Sequence, residues 1–133
     1  MNNNFINLKN KLCLITGSNG HIGNAICKRL IKLGAIIIHT DIKKNKKKSK
    51  NSFFYKADLN SKNDIDALVQ KINKKFKRID ILVNNAGYVE ASDIDKKYNK
   101  LIYNEEYTKL NLNNTIYLTE SIIPILRKSK EAS

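Results

Sequence analysis

Short apolar runs alternate along this chain with segments whose apolar residues recur at helical spacing. The runs predict buried strands at 12–16, 35–40, 53–58 and 79–84. Helical spacing predicts helices over 22–33, 65–76 and about 104–128. Gly34 provides the stop of the first helix, Ser61 and Asp64 can cap the second, and Pro124 is expected to kink the third.

The order of these elements predicts an α/β fold in which helices cover both faces of a parallel sheet. Since crossovers between parallel strands are right-handed, this order gives a three-layer, doubly wound fold with strands in the order 3-2-1-4. We expect residues 1–133 to form one domain that is incomplete at its carboxyl end, with the remaining strands missing. The apolar edge 81–83 would then stay unpaired, and the isolated polypeptide would be poorly soluble or oligomeric.

A glycine pattern lies between the first predicted strand and the first predicted helix. It reads Thr16-Gly17-Ser18-Asn19-Gly20-His21-Ile22-Gly23. Gly17 permits a tight turn, Gly20 lets the backbone approach a pyrophosphate, and Gly23 lets helix and strand pack closely. Because the first N–H groups of the helix would face the phosphates, residues 17–23 are predicted to bind a dinucleotide.

Asp41 ends the second predicted strand, 18 residues after Gly23. A carboxylate in this position accepts hydrogen bonds from both adenine-ribose hydroxyls and repels a 2′-phosphate, which favours NAD over NADP. Lys43 and Lys44 follow at once, and a nearby cation can accommodate that phosphate, so NADP is not excluded. The alternative interpretation of Asp41 is an ordinary acid at a strand end.

At these residues the chain resembles the short-chain dehydrogenase/reductase family, and the resemblance covers essentially its whole length. The more specific match follows the fourth predicted strand, where the family's Asn-Asn-Ala-Gly motif corresponds to Asn84-Asn85-Ala86-Gly87. The resemblance implies an NAD(P)-binding Rossmann fold and places these four residues in the cofactor site. It also implies that Asn84 and Ala86 help hold the central sheet and line the adenosine and ribose side.

Three further positions take their roles from this resemblance. Asp58 and Leu59, after the third predicted strand, resemble the pair that caps the adenine ring, although an acid approaching a helix is the alternative for Asp58. Asn111 falls where the family carries a catalytic Asn that anchors a water in proton relay. In a chain this rich in Asn, a match at Asn111 by chance is the other interpretation.

Two positions depart from the family's commoner pattern. His21 stands where the commoner branch has Gly, so the glycine spacing follows the extended branch while Asn-Asn-Ala-Gly follows the common one. We interpret His21 as a loop side chain near the phosphates rather than as a general base. Asn114 stands where a small residue is usual, and it is expected to crowd the nicotinamide side.

The family's catalytic Tyr-x-x-x-Lys pair does not occur among these 133 residues, because no Tyr is followed four positions later by Lys. The resemblance implies hydride transfer between a nicotinamide and a carbonyl or alcohol substrate, in a protein roughly twice as long. We therefore expect an amino-terminal fragment that is inactive alone. A non-catalytic NAD-binding or regulatory module is the alternative, and homo-oligomers of the complete protein are implied because relatives commonly pair through the long last helix.

Composition narrows the set of partners. The formal net charge of +13 invites comparison with nucleic-acid-binding proteins, but it comes from 22 Lys and 3 Arg beside 19 Asn and 19 Ile. That combination is favoured by AT-rich coding sequence. The densest run, 43–50, contains neither Arg nor an aromatic residue, so we expect a solvated loop and no nucleic-acid partner. A nucleic-acid-associated basic protein is the alternative, and it would require salt-sensitive binding that depends on these lysines.

Membrane, secretory and metal-binding classes are also disfavoured. No run approaches the roughly 20 apolar residues needed to span a bilayer. The first residues show no basic start followed by an apolar stretch, so a cytoplasmic protein is expected. Cys13 and Cys27 lack Cys or His partners at metal-binding spacing, which favours buried free thiols and predicts no metal site.

Overall fold

The computed structural model describes residues 6–44, 51–88 and 105–133. The greater part of the predicted lysine-rich loop 43–50, namely 45–50, lies outside the described ranges, as do the polar segment 89–104 and the first five residues. The amino-terminal elements are β1 (Leu12–Thr16), α1 (His21–Lys32), β2 (Ile36–Asp41), β3 (Ser52–Lys56), α2 (Lys62–Phe76) and β4 (Ile81–Val83). The carboxyl-terminal elements are α3 (Glu105–Thr108), a π-helical turn (Lys109–Asn113) and α4 (Asn114–Leu126).

The described strands form one parallel sheet in the order β3-β2-β1-β4, which confirms the predicted order. Leu14 at the middle of β1 lies opposite Ile38 of β2 on one side and Leu82 of β4 on the other. Since β2 lies on one side of β1 and β4 on the other, the chain reverses its direction of winding at β1. Crevices at such a switch point, outside the carboxyl ends of the strands, are where doubly wound folds bind ligands.

Apolar side chains of β1 alternate between two cores, one on each face of the sheet. Leu12 and Leu14 join the core that α2 and α4 cover, whereas Cys13 and Ile15 join the core that α1 covers. This alternation follows from the two-residue period of a strand. Helices on both faces confirm the predicted three layers.

Both cysteines are free and buried, as predicted. Cys13 is 0% and Cys27 2% exposed, and burial raises the pKa of each thiol to about 11. The Cys27 sulfur lies 3.5 Å from Nδ1 of His39, whose own pKa is lowered by burial. At neutral pH these groups are uncharged members of the core.

The predicted helix boundaries hold at α1 and α2. Gly34 follows α1 with φ +95°, a left-handed conformation that glycine adopts without steric cost. Ser61 caps α2 by accepting a hydrogen bond from the backbone N–H of Asp64 at 3.2 Å. α2 ends at Lys77, which takes the left-handed conformation with φ 65°.

The π-helical turn in the last helical region was not predicted. The backbone N–H of Asn114 bonds to the carbonyl of Lys109, five residues earlier, and the Thr115 hydroxyl donates to the carbonyl of Leu110. A π-turn shifts the register of the following helix by one residue, and apolar periodicity over a short stretch does not reveal such a shift. Pro124 lies inside α4 as predicted.

The edge of β4 is not wholly unpaired, in contrast to the expectation from sequence. The N–H of Leu82 donates to the carbonyl of Ser133 at 2.9 Å, and the N–H of Ser133 donates to the carbonyl of Asp80 at 2.9 Å. These two bonds have the pattern of a parallel ladder, in which Ser133 lies beside Ile81. Among the described helices, none is long and apolar enough to cross a membrane.

Candidate functional site

A cavity of about 670 Å³ opens at the carboxyl ends of the strands, within the usual size range of ligand pockets. The predicted site residues that line it are Gly17, Asn19, Gly20, His21, Ile22, Gly23, Asp41, Asp58, Leu59, Asn85, Ala86 and Gly87. The structure thus brings together the glycine turn, the acid after β2, the pair after β3 and the motif after β4. Parallel strands place these segments together because their carboxyl ends share one edge of the sheet.

The glycine turn packs closely against α1 and against the segment after β4. Gly17 has φ +62°, and a Cβ on it would come within 2.8 Å of the Cα of Ala86. A Cβ on Gly23 would lie 2.3 Å from the carbonyl oxygen of Gly17, a distance that forces the backbone to move. At Gly20 the same atom would lie 3.4 Å from that oxygen, which is close to ordinary contact.

The amino terminus of α1 has free backbone donors. Within the described residues, Gly20 at its N-cap makes no side-chain capping bond and the first turn contains no acid. α2 differs, because Ser61 caps it and Asp64 lies in its first turn. An uncapped helix start that faces a cavity attracts anions through its N–H groups and its dipole.

Asp41 stands at the rim of the cavity with its carboxylate held by two backbone donors. The N–H of Asn19 donates to Oδ2 at 3.0 Å, and the N–H of Lys43 donates to Oδ1 at 3.1 Å. The carboxylate therefore lies between the glycine turn and the residues after β2.

Asn85 fastens β1 to the segment after β4. Its side-chain nitrogen donates to the carbonyls of Thr16 and Gly17 at 3.0 and 3.1 Å. The N–H groups of Asn85 and Ala86 both donate to the Thr16 hydroxyl, at 3.0 and 2.9 Å. Ala86 therefore helps hold the sheet, as predicted.

The sheet-holding role predicted for Asn84 belongs to Asn85. The side chain of Asn84 donates to the hydroxyl of Thr119 on α4 at 3.0 Å, and Asn84 does not line the cavity. Since successive residues of an extended segment point to opposite sides, only one Asn of the pair can reach β1. Ser18 does not line the cavity either, and its side chain is buried.

Asp58 lines the cavity and also shapes the approach to α2. Its Oδ1 accepts from the N–H of Asn60 at 2.8 Å, while its own N–H donates to Asp64 at 2.9 Å. Both interpretations of Asp58 thus describe part of its environment. Leu59 is 7% exposed and joins the core beneath this part of the cavity.

Asn111 lies in the π-helical turn and clamps the backbone of Tyr88. Its Oδ1 accepts from the Tyr88 N–H at 2.9 Å, and its Nδ2 donates to the Tyr88 carbonyl at 3.0 Å. The same Oδ1 lies 3.2 Å from the place where a Cβ of Gly87 would be. Asn111 therefore abuts the cavity without lining it, and its catalytic role stays a prediction.

The two departures from the family pattern differ in position. His21 is the first residue of α1, so it lies in a helix and not in a loop; it is exposed and lines the cavity, and its place near the phosphates stays a prediction. Asn114 is 4% exposed, and its amide donates to Asn60 Oδ1 at 3.2 Å, so it packs towards the loop after β3. Asn114 does not line the cavity, and its expected crowding of the nicotinamide side stays a prediction.

Several lining residues were missed by the sequence analysis. They are Thr40, Ile42, Lys43, Ala57, Asn60, Tyr88 and Leu110. The sequence analysis had named Lys43 only as a nearby cation. Most flank a predicted residue by one or two positions, so the end of each strand was the available signal. Ile42 is 57% exposed in the structure, which the sequence did not indicate.

A comparison with family profiles matches residues 11–133 to the family described as short chain dehydrogenase. The chain belongs to the short-chain dehydrogenase family. Among its relatives, the 3-oxoacyl-(acyl-carrier-protein) reductase FabG of Buchnera aphidicola from Acyrthosiphon pisum is 33% identical, over 95% of this chain and 53% of the relative. The uncharacterized oxidoreductase DltE of Bacillus subtilis is 28% identical, over 95% and 52%.

Solved structures of short-chain dehydrogenases resemble the fold. The ligand-free aldohexose dehydrogenase of Thermoplasma acidophilum matches with a TM-score of 0.74 and 24% identity, over 94% of this chain and 48% of that one. A short chain dehydrogenase from Leptospira borgpetersenii, solved with bound NAD+, matches with a TM-score of 0.73 and 25% identity, over 90% and 47%. This short-chain dehydrogenase chain spans about half the length of the curated relatives it matches.

The residues at the cavity fit the NAD(P) cofactor of short-chain dehydrogenases. Close packing at Gly23 holds the start of α1 against the glycine turn, and this uncapped start offers N–H donors for phosphates. Two hydroxyls at the junction of the glycine turn and β2, Ser18 Oγ and Thr40 Oγ1, are buried without a hydrogen-bond partner among the described residues. Buried unsatisfied groups are rare in native proteins, so the one that lines the cavity, Thr40, indicates a missing partner there.

Proposed function

We propose that this chain is the cofactor-binding part of an NAD-dependent oxidoreductase that acts on a carbonyl or alcohol substrate. The observation that carries the proposal is the Asp41 carboxylate, fixed by Asn19 and Lys43 at the rim of the cavity beside the glycine turn. A fixed carboxylate there accepts ribose hydroxyls and repels a 2′-phosphate, which favours NAD over NADP. Bound nicotinamide would supply hydride transfer to or from the substrate.

The chain's own residues would bind and orient this cofactor. Backbone N–H groups at the start of α1 would hold the pyrophosphate, and Asp58 and Leu59 would border the adenine. The clamp of Asn111 on the Tyr88 backbone would fix the far end of the cavity, where we place the reacting groups. The exposed Tyr88 ring, in edge contact with Tyr107 at 5.9 Å between centroids, would border the same end.

The catalytic acid and base are proposed to come from residues outside the printed chain. This proposal rests on the sequence, in which no Tyr is followed four positions later by Lys, and on relatives of about twice the length. The same observation favours a second candidate function, a non-catalytic NAD-binding or regulatory module. Turnover of carbonyl substrates by the native-length protein would support the enzyme, whereas saturable NADH binding without turnover would support the module.

Calorimetric titration of the native-length protein with NADH and NADPH tests the proposed cofactor. We expect NADH to bind at least about tenfold more tightly, a difference of 1.4 kcal/mol. Asp41→Asn should reduce this preference because it removes the charge that repels a 2′-phosphate. Glu120→Gln, which removes the same charge from an exposed site outside the cavity, should leave the preference unchanged. Absence of binding, or tighter binding of NADPH, would contradict the proposal.

We also propose a cytoplasmic homo-oligomer that binds neither nucleic acid nor membrane. Leu112 and Ile116, one helical turn apart, are 53% and 47% exposed, which supports a contact with a second copy along the last helical region. Light scattering coupled to size exclusion should report an oligomer for the native-length protein. Ile116→Glu should reduce the measured molar mass, whereas Asn63→Glu, which adds the same charge at an exposed position on α2, should leave it unchanged.

A further inference from the structure

Two hydrogen bonds from Asn19 tie the glycine turn to the end of β2 and the residues after it, and a third bond lies within residues 41–43. The backbone N–H of Asn19 donates to Asp41 Oδ2 at 3.0 Å, and the Asn19 side-chain amide donates to the carbonyl of Lys43 in a short bond. The N–H of Lys43 donates in turn to Asp41 Oδ1 at 3.1 Å. Asn19 therefore contacts both ends of the turn formed by residues 41–43.

These bonds fix how Asp41 faces the cavity. An ionised carboxylate has about four acceptor positions, and one on each oxygen is used by a backbone N–H. Among the described residues, one position on each oxygen therefore stays available for a ligand hydroxyl. Because the donors come from two separate segments, rotation of the carboxylate would break at least one of them.

The hydrogen bond from the Asn19 side chain keeps the 41–43 turn beside the glycine turn. Asn19 and Lys43 are both exposed, so their side chains are not packed in a core that could hold the turn. The other described bond between the two segments, from the N–H of Ser18 to the carbonyl of Thr40, is long at 3.3 Å and lies before Asp41. Loss of the Asn19 amide would release the Lys43 carbonyl, while the backbone N–H of residue 19 would still donate to Asp41.

We propose that Asn19 is a positioning residue that acts through Asp41 to set the preference for NAD over NADP. This inference rests on the proposed function, because it concerns the same cavity. A carboxylate held in place accepts two ribose hydroxyls without reorganisation, and it cannot turn away from a 2′-phosphate. Without the Asn19 side-chain bond, the 41–43 turn can move away from the glycine turn. The Asp41 carboxylate can then move out of the cavity, and the Lys43 cation can approach the 2′-phosphate.

The experiment measures NADH and NADPH dissociation constants for the native-length protein and for Asn19→Ala. We expect Asn19→Ala to weaken NADH binding and to reduce the ratio of NADPH to NADH dissociation constants at least fivefold. Asn24→Ala, an exposed Asn on the adjacent turn of α1, is the matched control and should leave the ratio within twofold of wild type. The melting temperature of each variant reports whether the fold is retained.

A double-mutant cycle with Asp41→Asn separates positioning from a general structural role. If Asn19 acts through Asp41, then Asn19→Ala should change the ratio by less than twofold when Asp41→Asn is already present. An equal effect in both backgrounds would overturn the inference, as would equal weakening of NADH and NADPH by Asn19→Ala. An unchanged ratio in a protein that prefers NADH overturns this inference alone, whereas a wild type that binds neither nucleotide overturns the proposed function as well.

Discussion

Gly23 and Gly20 belong to one motif, but only the surroundings of Gly23 leave no room for a Cβ atom. A Cβ at position 23 would meet the Gly17 carbonyl at 2.3 Å and the Asn85 amide at 2.7 Å. We expect Gly23→Ala to lower the free energy of unfolding by about 1–3 kcal/mol, the usual range for overpacking a closed site. Urea denaturation followed by circular dichroism measures this change.

Gly20→Ala is the matched control for that substitution. Gly20 has φ −66° and ψ 164°, which alanine adopts readily, and its Cβ would lie 3.4 Å from the Gly17 oxygen. Its unfolding free energy should therefore fall by less than that of Gly23→Ala, by about 1 kcal/mol at most, the usual cost of alanine at an N-cap. Equal destabilisation by Gly23→Ala and Gly20→Ala would contradict the prediction that close packing around Gly23 requires glycine there.

Single residues of the site were predictable only where the motif itself carries the geometry. Gly17, Gly23 and Asp41 occupy the places that their spacing indicated, because a strand followed by a helix leaves few ways to connect them. The division of labour between Asn84 and Asn85 was not predictable from the motif. It depends on which side of the segment after β4 faces β1, and one residue of register reverses that assignment.

At the scale of elements, Asn85 joins β1 to β4 across their carboxyl ends. Asn85→Ala would leave the carbonyls of Thr16 and Gly17 without this donor, and we expect a loss of about 1–3 kcal/mol in unfolding free energy. Asn84→Ala removes a single bond to Thr119 from a more exposed side chain and should cost less. Parallel thermal melts of the two variants give the comparison. A larger loss for Asn84→Ala would contradict the assignment of the joining role to Asn85.

The strands and helices were largely predictable, and the π-helical turn was not. β-branched runs and the caps at Ser61 and Gly34 locate the elements because each depends on local chemistry. The π-turn depends on contacts made far along the chain, since Asn111 there pairs with the backbone of Tyr88 after β4. Such a tertiary contact leaves no local periodic signal.

At the scale of the whole molecule, Asp80 links β1 and the segment after α4 by hydrogen bonds at the amino-terminal edge of the sheet. It is 3% exposed and accepts from the Leu12 N–H at 2.8 Å, from the Ser129 hydroxyl and from Arg78 at 3.3 Å. Burial alone would raise the pKa of Asp80. The hydrogen bonds and the Arg78 charge outweigh burial and hold that pKa below its ordinary value.

Asp80 therefore makes stability depend on pH in the acid range. A pKa lowered by folding contributes stability that is present above the unfolded value, about 3.9, and is lost as pH falls through the folded pKa. We expect Asp80→Asn to lower unfolding free energy at pH 7 by about 1.5–3 kcal/mol, as for hydrogen bonds to a charged group. The difference from wild type should shrink as pH falls below about 4.

Thermal melts of wild type and Asp80→Asn between pH 7 and pH 2.5 check this expectation. Glu131→Gln is the control, because Glu131 is 77% exposed and its ion pair with Lys11 at 2.8 Å is screened by water. That variant should follow the wild-type curve closely. A constant difference between wild type and Asp80→Asn at all pH values would show that the charge of Asp80 is not involved.

Because β1 is completely buried, the exchange rate of its amide hydrogens can report ligand affinity. All five residues of β1 are buried, and β2 and β4 flank it on both sides. Deuterium should therefore enter β1 only when the whole domain opens, so exchange there measures global stability. A ligand present at 100 times its dissociation constant adds about 2.7 kcal/mol to that stability, which slows exchange roughly a hundredfold. Mass spectrometry of the β1 peptide can thus rank nucleotides without any assay of turnover.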